Sequence, residues 1–239
     1  MFIQLVYRKR GRAVMSYYFD WWTPIDHIPD MLSAAGITIA FSLVIFILEI
    51  VISAFLGYIR YNKTKVLYGI VTAYVEIIRN TPVLIQIYIL FFGLPQLGIM
   101  INQYTAGFIA LLLYGCAYTC EIYRAGIQSI DKGQWEAGGC VGLSKLQVFV
   151  SIIFPQAVRN IFPALINQFV NVMYATALLS AIDVREITGV TKIISGSTFR
   201  TFEMYTFAMI LYYILSNVTT FILRKINRKY FPSISVTGE

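Results

Sequence analysis

Histidine is almost missing from this 239-residue sequence: His27 stands alone, with only three cysteines, Cys116, Cys120 and Cys140. One imidazole and three thiols do not supply the clustered ligands of a His/Cys metal centre, and three cysteines build no disulfide framework. Cys116 and Cys120, four apart in one apolar run, read as small packing residues. No G-x-x-x-x-G-K-[ST] sequence occurs; Gly142-Leu143-Ser144-Lys145 lacks the earlier glycine, so no loop here cradles ATP. No nucleophile–base pair and no suitably spaced pair of carboxylates appears, which leaves an enzyme without its machinery. Charge is scarce too, at 13% of residues against 58% hydrophobic, which excludes an ordinary soluble domain. The formal charge of +7 does not imply nucleic acid. The basic residues flank apolar runs, where anionic headgroups and topology control account for them.

What is abundant is apolar length. The apolar runs are about twenty residues long, enough to cross a hydrocarbon core of roughly 30 Å, so the chain reads as an all-α integral membrane protein. Residues 1–30 form an N-terminal interfacial segment with a basic cluster, Arg8, Lys9, Arg10 and Arg12, and an aromatic stretch, Tyr17 to Trp22, too short to span. Pro24 and Pro29 then mark a break. No small-residue cleavage site follows a long apolar core, so no signal peptide is expected. A membrane domain over 31–224 holds five expected spans: Ile37 to Ile59, Val66 to Leu94, Thr105 to Cys120, Ile161 to Ile182 and Met204 to Leu223. Thr81-Pro82 should bend or break the second span. Asp183 to Glu203 reads as a polar loop, and 225–239 as a C-terminal tail. The larger share of Lys and Arg lies beside Arg60, in the loop around Glu136 and after Leu223, which places those segments in the cytoplasm. The N-terminal basic cluster then falls outside, against the same rule.

The chain is organised around Lys132 to Ala157. Ala137, Gly138 and Gly139 follow Glu136 and let another surface approach the helix backbone. Gly142 interrupts the pattern. Ser144 with Gln147 three residues on reads as a capping box for a second short helix, which Pro155 closes. Glu136-Ala137-Gly138, then Gly142, then Ile152, Phe154 and Pro155, resembles the EAA loop of ABC importer permeases, with Gly138 and Phe154 as mild departures. Tyr74, Glu76, Arg79, Thr81, Pro82 and Gln86, then Ala117, Tyr118, Glu121, Arg124 and Gly126, are similar to the polar amino acid permeases. So are Lys132-Gly133-Gln134-Trp135-Glu136 and Thr198-Phe199-Arg200. The resemblance implies the five-helix type I importer fold with a cytoplasmic coupling helix, in a bacterial cytoplasmic membrane. It also implies a separate ATPase dimer that carries ATP-Mg, a second permease subunit, an external solute-binding protein and surrounding lipid, with no cofactor held by this chain. Glu136, Ala137, Gly138, Gly142, Ile152 and Pro155 would then couple to the ATPase.

Candidates for the substrate pathway come from polar residues in apolar spans. Glu76 and Arg79 are three apart and can pair, as can Glu121 and Arg124. Either pair is also explained as structural. Glu49 is an isolated charge in mid-span, costly without a partner or a wet cavity, and Arg79 is one candidate partner. Tyr118, Asn167, Asn171 and Thr176 complete the set, with interhelical hydrogen bonding as the alternative role for the span-four residues. Where the subfamily usually has K-D-T-S-L, this chain has Tyr174-Ala175-Thr176-Ala177-Leu178. Either the substrate lacks the charge those groups would meet, or a sister permease holds it. The rival class is a channel or membrane sensor that binds a soluble regulator through the same loop.

Overall fold

A computed structural model describes residues 6–9, 12–15, 17–63 and 65–230. An antiparallel strand pair, β1 (Val6–Lys9) with β2 (Arg12–Met15), comes first, and the regular elements described after it are all helical. These strands lie within the segment expected to be interfacial and add to it. Of the expected tail only 225–230 is described, and it prolongs the last helix.

Short α1 (Trp22–Asp26) leads into α2 (Ile28–Asn62), which begins with Pro29 in its first turn, where a missing N–H is harmless. It ends at Lys63 in a left-handed conformation, φ 49°. At about 1.5 Å per residue, its 35 residues exceed the hydrocarbon thickness by a wide margin. The first span is therefore longer at both ends than Ile37 to Ile59. The third, α5 (Gln103–Gln128), likewise runs past Cys120.

The second span is broken as expected. α3 (Lys65–Arg79) and α4 (Val83–Gln96) meet at 106° across Thr81-Pro82. Pro82 cannot donate to the carbonyl of Ile78, and Gln86 Nε2 takes that place at 2.8 Å. The same amide reaches the Thr81 carbonyl at 3.1 Å. Side-chain donors thus cover the carbonyls that the break frees, as apolar surroundings demand.

α6 (Lys132–Cys140) is followed, after a turn, by α7 (Lys145–Ile182). Pro155 does not close a short second helix: α7 continues through it and becomes the fourth span. A wide π turn, Phe149–Ile153, comes just before the proline, and the Phe154 N–H reaches back five residues to the Phe149 carbonyl. The widened turn displaces the carbonyl ladder where Pro155 offers no donor, so the helix survives. Its last turns, Thr176–Ile182, tighten to 3₁₀ geometry.

The expected loop from Asp183 to Glu203 is corrected as well, because it contains α8 (Ile187–Thr198). Glu186 caps it by accepting from the Gly189 N–H at 2.7 Å. Ile187, Thr191 and Ile194 face inward with Met31, Ala34 and Met204. α9 (Thr201–Tyr230) is the fifth span. Among the described residues four helices are long and apolar enough to cross a membrane, five with the bent pair counted as one.

α2 and α5 approach closely: a Cβ on Gly57 would stand 2.7 Å from Tyr123 Cβ and 3.2 Å from the Cys120 carbonyl. Small residues at such crossings let helix backbones touch where lipid offers no hydrophobic drive. Residues 17–20 lie at the α8 end. Tyr17 donates to Glu203, the Asp20 N–H donates to the same carboxylate at 3.1 Å, and Arg200 donates to the Tyr18 carbonyl at 2.9 Å. Tyr61, at the far end of α2, stacks on Trp135 of α6. Residues 17–20 and the Glu136 loop thus occupy opposite ends of the bundle.

Candidate functional site

Two features carry the candidate function: the α6–α7 loop and a charged cavity above it. Asp131 caps α6 by accepting from the Gly133 N–H at 2.6 Å. The turn after α6 depends on Gly142 at φ 81°, and the Leu143 N–H closes it on the Gly138 carbonyl at 3.2 Å. The capping box forms as read from the sequence, with the Ser144 N–H donating to Gln147 Oε1 at 2.8 Å and Ser144 Oγ accepting from the Gln147 N–H. Trp135 stacks between Tyr61 and Phe149 and fixes α6 to the ends of α2 and α7.

Glu136 and Ala137 are exposed, and Glu136 makes no hydrogen bond or ion pair among the described residues. Gly138 is different: it is buried, and a Cβ there would stand 2.7 Å from Val148 and 3.2 Å from Ile152. Its smallness closes the two helices on each other, and Ile152 belongs to the same internal contact. Pro155 is exposed. Around the turn, Val141, Leu146 and Val150 present apolar side chains to the outside. Leu146 and Val150 are four apart on one helix, a spacing legible in the sequence though neither is among the expected coupling residues.

The cavity has a volume of about 730 Å³ and lies between α5, α7 and the end of α3, with Arg79, Tyr118, Glu121, Asn167 and Asn171 on its wall. Glu121 is its electrostatic centre. Arg60 bonds to it from α2, Arg124 Nη2 reaches it at 2.8 Å, and Arg79 Nη1 lies 3.7 Å away. Arg60 also lies 3.8 Å from Glu76. Three guanidinium groups therefore face two carboxylates, leaving one positive charge in excess. Arg79 lies over the Tyr118 ring, 5.3 Å from its centroid.

Several expectations are refined here. Glu121 and Arg124 pair as read. Glu76 and Arg79 form no pair with each other among the described residues; each finds a partner on another helix. The bend at Thr81-Pro82 brings α3 against α2 and α5, so cross-helix partners are closer than the neighbour one turn away. Arg60, 61 residues from Glu121 in sequence, carried no local sign of this role.

Glu49 is fully buried and does not reach the cavity or Arg79. Its carboxyl lies beside Thr119 and Gln168, yet neither oxygen has a hydrogen bond of ordinary geometry among the described residues. Gly115 faces it, and any side chain there would collide with it. Thr176 is also buried, donating to the Met173 carbonyl at 2.7 Å. Asn167 and Asn171 are exposed on the cavity wall and make no side-chain hydrogen bond among the described residues. Among those residues no group of His, Cys, Asp and Glu is placed to hold a metal ion.

Residues 49–230 match the family described as binding-protein-dependent transport system inner membrane component. The chain is 32% identical over 214 residues to "Probable amino-acid ABC transporter permease protein YckA" of Bacillus subtilis, with 90% of this chain and 95% of that protein covered. It is 36% identical over 194 residues to GlnP of Rickettsia conorii, named for a glutamine transport system, covering 81% of this chain and 89% of the relative. The fold matches a crystal structure of an amino acid ABC transporter with histidines at a TM-score of 0.83 and 30% identity, over 89% of this chain and all of the other. The bundle is accordingly the type I ABC importer permease fold. The chain belongs to the binding-protein-dependent transport system inner membrane components, multi-pass permease subunits that leave ATP hydrolysis to another polypeptide.

Proposed function

We propose that this chain is the membrane-spanning subunit of an ATP-driven importer for a polar amino acid, worked by alternating access and coupled to a separate ATPase through the Glu136 loop. One observation carries the reading: α7 is a single helix that begins in the exposed loop and continues to the cavity wall at Asn167 and Asn171. A push on Glu136, Ala137 and the apolar side chains of the turn is carried toward the cavity along this one helix, which also passes through Pro163.

In this reading an ATPase dimer, holding ATP-Mg, grips the α6–α7 loop in the cytoplasm, and the C-terminus lies on the same side. A solute-binding protein delivers substrate at the α8 end. The excess positive charge beside Arg79 meets the substrate carboxylate, and the amides of Asn167 and Asn171 meet its other polar groups. Five spans are too few to enclose a path, and the polar groups exposed on α7 need cover inside a membrane. A second permease subunit supplies it. The absence of the Lys-Asp pair at Tyr174-Ala175 favours a sister chain over a second copy.

Affinity co-purification from native membrane, followed by ATPase and uptake assays in lipid, tests this. Recovery of an ATPase whose hydrolysis rises with a loaded binding protein is the expected result. Purification of the chain alone, with flux or signalling but no nucleotide turnover, would instead support the channel or sensor.

A further inference from the structure

Three cavities line up along one face of α7. The charged cavity shares Asn167 and Asn171 with a space of about 400 Å³ between α7 and α9. That space shares Tyr174 and Tyr213 with a third, of about 390 Å³, which is also bounded by Ala177, Met209 and Tyr212. Positions 167, 171, 174 and 177 follow helical spacing, so they form one stripe. The chemistry changes along it: Arg79 and Glu121, with Arg224 from α9, at the end toward α6, amides and hydroxyls in the middle, then rings and a thioether with no charge toward α8.

The uncharged end is held in place from outside the path. Tyr212 donates its hydroxyl to Glu186 at 2.6 Å and lies 3.1 Å from Thr188 Oγ1, so α8 fixes that ring. Tyr174 meets it edge-on, with centroids 6.2 Å apart. Tyr174 and Tyr213 are themselves 47% and 68% exposed and make no side-chain hydrogen bond among the described residues. Both rings are open to whatever occupies the groove.

We propose that this stripe is the translocation path and that Tyr174, with Tyr213 and Met209, is the segment that selects amino acids with uncharged side chains. The proposal rests on the importer reading above. In the third cavity, past Arg224, an anionic side chain would leave water for a wall that offers no counter-charge, a loss that nothing there offsets. A cationic one regains only part of that cost from ring faces. An amide, a thioether or an aromatic ring loses far less and gains contact. Lysine at position 174 would supply the missing counter-charge, whereas Ala175 is buried beside it and faces the core.

Ala177→Cys provides a reporter on the wall of the third cavity. In the assembled complex in proteoliposomes, its labelling by a membrane-impermeant maleimide is followed above the background of the parent chain, whose Cys140 is exposed. Glutamine and methionine should each slow the labelling, and glutamate should not. With Tyr174→Lys added, glutamate should slow it too; with Tyr174→Phe the original pattern should remain. Equal protection by glutamine and glutamate in the reporter, or a Tyr174→Lys pattern like the reporter's, would overturn the selecting role. Absence of any protection while ATP-driven uptake proceeds would overturn the path itself and leave the importer reading intact. Loss of ATP-driven uptake in the parent complex would overturn that reading separately. Met209→Cys serves the same purpose if Ala177→Cys does not assemble.

Discussion

At Glu186 a carboxylate is buried just beyond the fourth span, between α8 and α9. Burial pushes its pKa above the ordinary carboxylate range, against hydrogen bonds from Tyr212 and from the Thr188 and Gly189 N–H groups, which hold it down. With the folded value raised, the stability this group contributes is fully present below the ordinary value and is lost as pH rises through the raised one. Melting temperature should therefore fall from about pH 4.5 toward neutrality in the parent, and Glu186→Gln should flatten that slope. Tyr212→Phe keeps the ring but removes a donor from a buried acceptor, and should cost about 1–3 kcal/mol of stability in a thermal melt. At Gly57 the constraint is steric. Gly57→Val places branched carbon against Tyr123 and the Cys120 carbonyl, and should destabilise by about 1–3 kcal/mol or separate α2 from α5.

On the scale of elements, the π turn at Phe149–Ile153 carries α7 past Pro155, so one helix connects the turn after α6 with the cavity wall. The joint that sets the angle between α6 and α7 is Gly142. A Cβ there meets nothing within 4 Å, so its φ of 81° alone demands glycine. A β-branched residue in that region is strained by about 1–2 kcal/mol, enough to change the angle between α6 and α7. Gly142→Val should leave ATP hydrolysis running while uptake falls. Gly142→Asn, which tolerates left-handed backbone, should keep more of the coupling. Parallel assays of ATPase and uptake on the same vesicles separate these outcomes, and equal coupling in both variants would remove the joint from the mechanism.

For the whole molecule, the polar stripe on α7 and α9 has no protein cover among the described residues of a single chain. Asn167 and Asn171 open onto the same groove as Asn217 and Tyr213, within segments that cross the membrane. Such groups are costly against lipid and are covered by water or by protein. A partner that binds only the folded chain stabilises it by mass action. The isolated subunit should therefore melt well below the assembled complex, by several degrees or more for a tight partner. Identical melting of the two preparations would mean that the stripe is not a subunit face.

The sequence by itself determined the class: apolar runs long enough to span, the spacing from Glu136 to Pro155, the capping box at Ser144 and the break at Pro82. Each depends on neighbours within a few turns, which is the range of helix propensity, capping and proline geometry. Tertiary structure decided which charges meet. Arg60 joins Glu121, and Glu76 turns from Arg79 to Arg60, because a bent span brings three helices together at one point. Tertiary structure also decided that Gly138 is used inside the loop, that Glu49 and Thr176 are buried off the cavity, and that α7 runs on through Pro155. Those outcomes depend on how helices cross and on one widened turn, and neither the crossings nor that turn leave a local mark on the chain.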